Sequence, residues 1–366
     1  MKICHITSVH SYKDTRITIK EAQSLNKHFR NEVTVIAPNT EDLKYEGVQI
    51  IGVQRKKQRR LQRILNSTFE FYQTAMSIDA DIYHFHDPEL IPLGKKLSKA
   101  GKKVIYDVHE DVPRQIMTKH WIPELLKKPI SWMFEKYENN ATKNFSAVVT
   151  ATPYIKERFD KFHGTVVDIK NYPLLKELYF EDTQNSKKKN VVTYIGGISE
   201  DRGLYTMLEA LKGLSDVELK LAGKFGNNNT YEAAKTIESW PKVDFLGFVD
   251  RNAIKKTLSN SKVGLVVLHP KINYIDSLPI KMFEYMAAGI PVISSNFPLW
   301  EDIINTNKCG ICVDPLNVKE ITEAIQWIFN NPEEAKKMGE NGRKAVVEKY
   351  NWEAESKRLI ELYNGI

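Results

Sequence analysis

Short β-branched runs alternate with longer helical stretches along this chain, and the alternation begins twice. In the first half the runs are "KICHITS", "EVTVIAP", "VQIIGV", "DIYHFH", "KVIYDVH" and "AVVTATP". After residue 173 the pattern dissolves into the polar "LLKELYFEDTQNSKKKN". It then restarts with "VVTYIGG", "VELKLAGK", "VDFLGFV", "VGLVVLHP", "IPVISS" and "GICVDP". Continuous apolar runs separated by helices indicate parallel sheets covered on both faces. Two rounds of that grammar predict an α/β protein of two doubly wound, Rossmann-like domains, and 366 residues are enough for two cores. The expected boundaries are 1–173, a linker at 174–189, and 190–349. The amphipathic final stretch, 350–366, is expected to pack back on the first domain.

Open parallel sheets bind ligands beyond the carboxyl ends of their strands, so chemistry is expected on strand-to-helix loops. The most informative is "DSLPIKMFEYMAAGIPVISS", residues 276–295. Pro279 suits a first helical turn and Gly289 with Pro291 an exit, giving a helix over about 279–288. Asp276 then lies in the loop before it, and Glu284 lies inside. Free amides at the helix start favour an anion such as phosphate, whereas an ionised Glu284 can only accept hydrogen bonds, as from sugar or ribose hydroxyls. The plainer alternative is an amphipathic helix with a capping acid. In "YIGGISEDRGLYTMLEAL", residues 194–211, a strand runs into Gly196 and Gly197, and Arg202-Gly203 opens a helix. Glycines admit a phosphate to the backbone and an arginine can grip it with two bonds, although a simple strand–turn–helix corner has the same pattern.

Three polar loops follow strands of the first half: "SVHSYKDTR" with His10, Asp14 and Arg16, "YHFHDPE" with His86, and "VIYDVHED" with His109, Glu110 and Asp111 before Arg114. They are read as a functional rim, against the alternative of structural, hydrogen-bonding histidines. Two motifs are set aside. Cys309 and Cys312 form a C-x-x-C with one other cysteine in the chain and no histidine nearby, too few ligands for zinc. Asp79-Ala80-Asp81 precedes its strand and should face away from the rim, so no metal is expected.

The net charge of +7 is uneven: "QRKKQRRLQR", residues 54–63, holds six basic residues and no acid. It is either a solvated face or a patch for anionic lipid or phosphate. In "RQIMTKHWIPELLKKPISWMF", residues 114–134, basic residues mix with Trp121, Ile122, Leu125, Leu126 and Trp132. Here Trp121 to Lys128 are assigned to a membrane interface, and Ile130, Met133, Phe134, Tyr137 and Ala141 to the core. No run is long enough to span a bilayer, the amino terminus reads as a strand and not a signal peptide, and three cysteines fit a reducing compartment. A cytoplasmic location follows, with peripheral attachment to the inner membrane face through Arg55–Arg63 as an added expectation; no nucleic-acid partner is expected.

Taken together these loops resemble the retaining glycosyltransferases of sequence family 4, which have the GT-B fold of two domains facing across a cleft. Asp276 and Glu284 match the ends of the family's acid-x7-Glu motif, and "LPIKMFEYMAAGIPVISS" is similar to bacterial polysaccharide-assembly members. The resemblance implies a nucleoside-diphosphate-sugar donor held mainly by the second domain, and no cofactor. Glu284 would bind the ribose, Asp276 the donor sugar, and the amides of Ser277, Leu278, Pro279 and Ile280 the diphosphate. Arg202 matches a phosphate-binding lysine, His109 the histidine at the donor sugar, and Phe248 with Val249 the nucleobase pocket. Three departures stand out. Gly197 replaces a usual arginine, with Lys224 or Lys281 as its substitute. Asp276 is shorter than the usual glutamate, and "SVHSYKDTR" replaces a glycine pair. The implied activity is sugar transfer to a growing, lipid-linked bacterial glycan. A nucleotide-sugar epimerase and a non-catalytic sugar-nucleotide-binding protein are the alternatives.

Overall fold

The computed structural model describes the chain except residues 31, 55–59, 120 and 179–188, and gives the backbone alone for 60–68. Most of the stretch read as a linker and much of the basic run Arg55–Arg63 thus lie outside the described residues. The chain divides into two compact units, Met1–Asn171 with Ala354–Ile366, and Tyr172–Glu353.

The first unit is an eight-stranded sheet of β1 (Ile3–Ile6), β2 (Val33–Pro38), β3 (Leu43–Tyr45), β4 (Val48–Val53), β5 (Ile82–Phe85), β6 (Lys103–Val108), β7 (Ala147–Thr150) and β8 (Val166–Asp168). Their order is β3-β4-β2-β1-β5-β6-β7-β8, and only the edge strand β3 pairs antiparallel. The six expected strands are present. Strands β3 and β8 are three residues each, too short to stand out in the sequence. The order reverses between β1 and β5, and there the register sets His5 beside His84.

The second unit is a six-stranded parallel sheet of β9 (Val191–Ile195), β10 (Glu218–Ala222), β11 (Val243–Gly247), β12 (Val263–Val266), β13 (Val292–Ser295) and β14 (Gly310–Val313). The order β11-β10-β9-β12-β13-β14 is that of a dinucleotide-binding sheet, with its reversal between β9 and β12. Apolar residues of the helix Ile280–Ala287 cover one face, with Trp300, and Leu204, Leu208 and Ile325 cover the other. That helix lies close because β12 offers Gly264, where a Cβ would stand 2.2 Å from the Tyr285 ring. The Tyr285 hydroxyl in turn accepts the Ile195 amide of β9 at 3.0 Å.

The segment read as membrane-facing is corrected in two ways. Ile122 is buried, whereas Ile130, Met133 and Tyr137, expected in the core, are exposed along the helix Glu124–Thr142. Pro129 lies inside that helix, and the apolar face that packs inward is confined to its last turns around Ala141. Periodicity alone therefore misassigned the middle turns. Among the described residues no helix is long and apolar enough to cross a membrane.

Candidate active site

Beyond β9, Gly196 (φ +134°) and Gly197 lead through a short turn at Glu200–Arg202 into the helix Leu204–Lys212. Gly203 makes the corner at φ +80°, and a Cβ there would stand 2.1 Å from the Val267 carbonyl oxygen. Only glycine lets this loop lie against the end of β12. The turn delivers the Arg202 guanidinium to the phenols of Tyr194 and Tyr274, which hold its pKa above the usual value despite burial. The Tyr194 hydroxyl donates to the Gly197 carbonyl at 2.7 Å and so ties ring and loop together.

Lys281 enters the same place from the helix Ile280–Ala287. It is 8% exposed, and its ammonium lies 3.7 Å from the centroid of the Tyr194 ring. The nitrogen has no hydrogen-bond partner. Burial first, and then Arg202, hold its pKa well below that of a free lysine. The Nζ comes within 3.1 Å of where a Gly196 Cβ would be, and Arg202 Nη1 within 3.0 Å of a Gly197 Cβ. The two glycines thus leave room that Arg202 and Lys281 border. A side chain at position 197 would have to move Arg202. Lys224 lies differently, 4.9 Å over the exposed ring of Phe248.

Asp276 caps the short helix Ile272–Ile275, and the loop after it is fixed by Trp300 Nε1 donating to the Ser277 carbonyl at 2.7 Å. Ser277 N–H is taken by the Tyr274 carbonyl at 3.0 Å, and Pro279 has none. Of the four amides expected at a phosphate, only those of Leu278 and Ile280 remain candidates. Glu284 is buried and accepts from Arg251 Nη1 at 2.6 Å, while Arg251 Nε also bonds Glu177. Arg251 and Glu177 were not singled out in the sequence, because their pairing joins positions 33 and 74 residues apart.

In the first unit the loops after β1, β5 and β6 meet. His10 bridges Asp14 at 3.3 Å and Asp87 at 3.5 Å. The Asp14 hydrogen bond raises the His10 pKa against burial. Burial opposes ionisation of Asp14, but His10 and the Ile17 amide bring its pKa down to about 2. His109 follows β6, and its side chain is 17% exposed. Arg114 pairs with Glu135 and lies 3.6 Å from Asp111, whose carboxylate oxygens have no hydrogen-bond partner. Glu110 bonds Gln115. Arg16 and His86, expected on the rim, are buried behind it. Arg16 sits on the π-helical turn Thr15–Ala22, capped by Asp14, which aims it inward at Asp107 with bonds of 3.0 and 2.9 Å and at the Ile169 carbonyl. A charge so enclosed cannot meet an acceptor. Asp79 and Asp81 lie at the opposite strand ends, on Lys102 and the Lys2 amide. Cys309 and Cys312 are free thiols.

Residues 18–169 match the model of Glycosyltransferase Family 4, and residues 175–345 that of Glycosyl transferases group 1. The chain is a GT-B glycosyltransferase of family 4. This glycosyltransferase is 21% identical to an MMP alpha-(1->4)-mannosyltransferase of Mycolicibacterium hassiacum, over 76% of its own length and 69% of the relative's. It is 22% identical to a D-rhamnosyltransferase of Pseudomonas aeruginosa, over 74% and 70%. Its fold matches a sucrose-phosphate synthase from Thermosynechococcus elongatus with a TM-score of 0.80 at 16% identity, covering 100% and 98% of the two chains. It also matches the Anabaena HepE protein in complex with UDP-glucose, with a TM-score of 0.76 at 15% identity and 100% of both chains covered.

Proposed function

We propose that the enzyme transfers a sugar, with retention, from a nucleoside-diphosphate-sugar to a growing, lipid-linked bacterial surface glycan. The observation that carries the donor assignment is the pair of basic side chains, Arg202 and the unpartnered Lys281, bordering the space left by Gly196 and Gly197. Burial makes the ammonium form of Lys281 costly, and a diphosphate would favour it. Of the two lysines considered for the missing arginine, Lys281 is the one beside Arg202, whereas Lys224 with Phe248 and Val249 suits a base. As the glycosidic bond breaks, charge grows on the leaving diphosphate, and preorganised cations stabilise it electrostatically. Glu284, oriented by Arg251, would accept the ribose hydroxyls; Asp276 would accept from the sugar. His109 follows the family's histidine in supporting the sugar. No carboxylate is assigned as a nucleophile, and the donor phosphate is taken to assist deprotonation of the acceptor. In this reading protein groups meet the phosphate charge, so turnover should survive excess EDTA, and its loss with recovery on adding manganese would count against it. A thermal-shift screen against nucleotide-sugars tests donor use, because a ligand specific to the folded state raises the midpoint.

The acceptor side rests on the exposed face of Trp121, Leu125, Leu126, Trp132 and Met133, with Leu125 92% and Met133 64% exposed. Lys128 lies beside it and Lys136 packs 3.9 Å over the Trp132 ring. Aromatic and apolar groups among lysines suit an anionic bilayer surface. Cosedimentation with anionic vesicles at low salt, lost at high salt, is the expected result; no binding at low salt would favour a soluble acceptor.

A further inference from the structure

Behind His109 lies a set of buried groups with no part in the reaction as described. Asp107 Oδ2 is 2.8 Å from His109 Nε2 and 3.1 Å from His86 Nδ1. His86 Nε2 is 2.9 Å from His5 Nδ1, and these rings are within 15° of parallel with centroids 5.2 Å apart. Two nitrogens facing at that separation, each about 1.2 Å from its own ring centre by covalent geometry, give an in-plane N–H···N bond. His5, His84, His86 and Glu21 come close enough to suggest a metal cluster. Yet His5 and His86 face each other head-on, and a cation between them would have to part them. His5 Nε2 reaches the Tyr363 hydroxyl at 3.4 Å, and that hydroxyl lies 2.8 Å from His84 Nδ1.

Proton counting fixes most of this chain. Asp107 is bonded by Arg16 through both oxygens, which keeps it ionised and able only to accept. His86 Nδ1 and His109 Nε2 also lie 3.1 Å apart, so these nitrogens either converge on Asp107 as two donors or share one proton between them; the relay takes the first arrangement, with His86 donating through Nδ1 and His109 through Nε2. His86 Nε2 then carries a lone pair, and His5 must donate to it through Nδ1. We propose that Asp107, His86 and His5 form a buried positioning relay that holds His109 as its Nε2–H tautomer, leaving Nδ1 as the nitrogen offered to substrate. The relay's part in catalysis rests on the reading of His109 at the donor sugar; its geometry does not.

Other charged groups face this place: Arg16 and Glu21 from the π-helical turn, His10 and Asp14 from the loop after β1, Asp87 after β5 and Glu110 after β6. Burial keeps His5 and His86 neutral. Burial first, and then the Asp107 charge, push Glu21 well above the usual carboxyl range, against Arg16 Nε at 2.9 Å.

The test is nitrogen-15 NMR of the full chain with labelled histidine, which reports the protonated nitrogen of each ring. His5 and His86 are expected as neutral Nδ1–H tautomers through the range near pH 6.5 in which a free imidazole titrates. His109 is expected as Nε2–H when neutral. The Nε2–H form at His86, or its titration near pH 6.5, overturns the relay. His86→Leu removes the acceptor of the His5 proton, so the His5 ring should no longer be held as a single Nδ1–H tautomer. His86→Gln keeps an acceptor facing His5 and should restore its Nδ1–H form. An unchanged His5 tautomer in a folded His86→Leu protein contradicts the relay. Should His86→Leu not fold, the wild-type tautomers decide. Full activity in His109→Ala with the relay tautomers present would refute the catalytic reading alone.

Discussion

The two units treat buried charge in opposite ways. In the first, Arg16, Asp107, His86, His5 and His109 bond one another, so the cluster is nearly closed on itself. In the second, Lys281 is buried too, but its nitrogen lies over the face of Tyr194 without a hydrogen-bond partner. A closed cluster fixes positions; an open one asks for a ligand. On the proposed reading, the contrast puts the donor's diphosphate in the second unit and gives most of the histidines in the first a supporting role.

The largest effect should come from the open side. Arg202→Ala removes a preorganised cation from the leaving group and should lower kcat by roughly 100- to 1000-fold in a transfer assay. A kcat within a few-fold of wild type would break the comparison. Glu284→Ala should weaken donor binding by roughly 10- to 100-fold, the worth of a charge-assisted hydrogen bond, and leaves Arg251 with Glu177 as its remaining carboxylate. Unchanged donor affinity by calorimetry would remove Glu284 from the site. Gly203→Ala sharpens the contrast from the backbone: the Cβ meets the Val267 carbonyl at φ +80°, so stability should fall by more than about 1 kcal/mol in a denaturant melt. A neutral result would show that the Arg202 loop needs no glycine there.

Much of this architecture was legible in the chain because parallel strands buried on both faces leave unbroken apolar runs. The strands named from "KICHITS" to "GICVDP" all exist; β3 and β8 are too short to leave such a run. Polarity at strand ends made His109 and Arg202 candidates, and Lys281 stood out as a charge inside an apolar run. Polarity could not tell rim from interior, since His86 and Arg16 are as polar as His10 and Asp14 but are buried. That distinction is set by the π-helical turn and the pleat of β5, which single-residue patterns do not encode. The partners Arg251 and Tyr363 come from distant segments, and although Tyr194 and Tyr274 lie in or beside the stretches read for the site, nothing local marks them as partners. On the Glu124–Thr142 helix the apolar spacing looked like a core face, but Ile130, Met133 and Tyr137 are exposed and Ala141 alone of that face is buried.

The measurement that bears most directly on the central claim is calorimetry of nucleoside diphosphate binding in buffers of different ionisation enthalpy. In the free protein burial and Arg202 favour neutral Lys281; a bound diphosphate favours the ammonium. Because that pKa is lowered when free and raised when bound, binding should take up protons and weaken as pH rises through the bound-state value. The account predicts proton uptake in wild type that disappears in Lys281→Met, with binding weaker in the variant at the lower pH. Binding without proton exchange in wild type, or identical uptake in Lys281→Met, would contradict it.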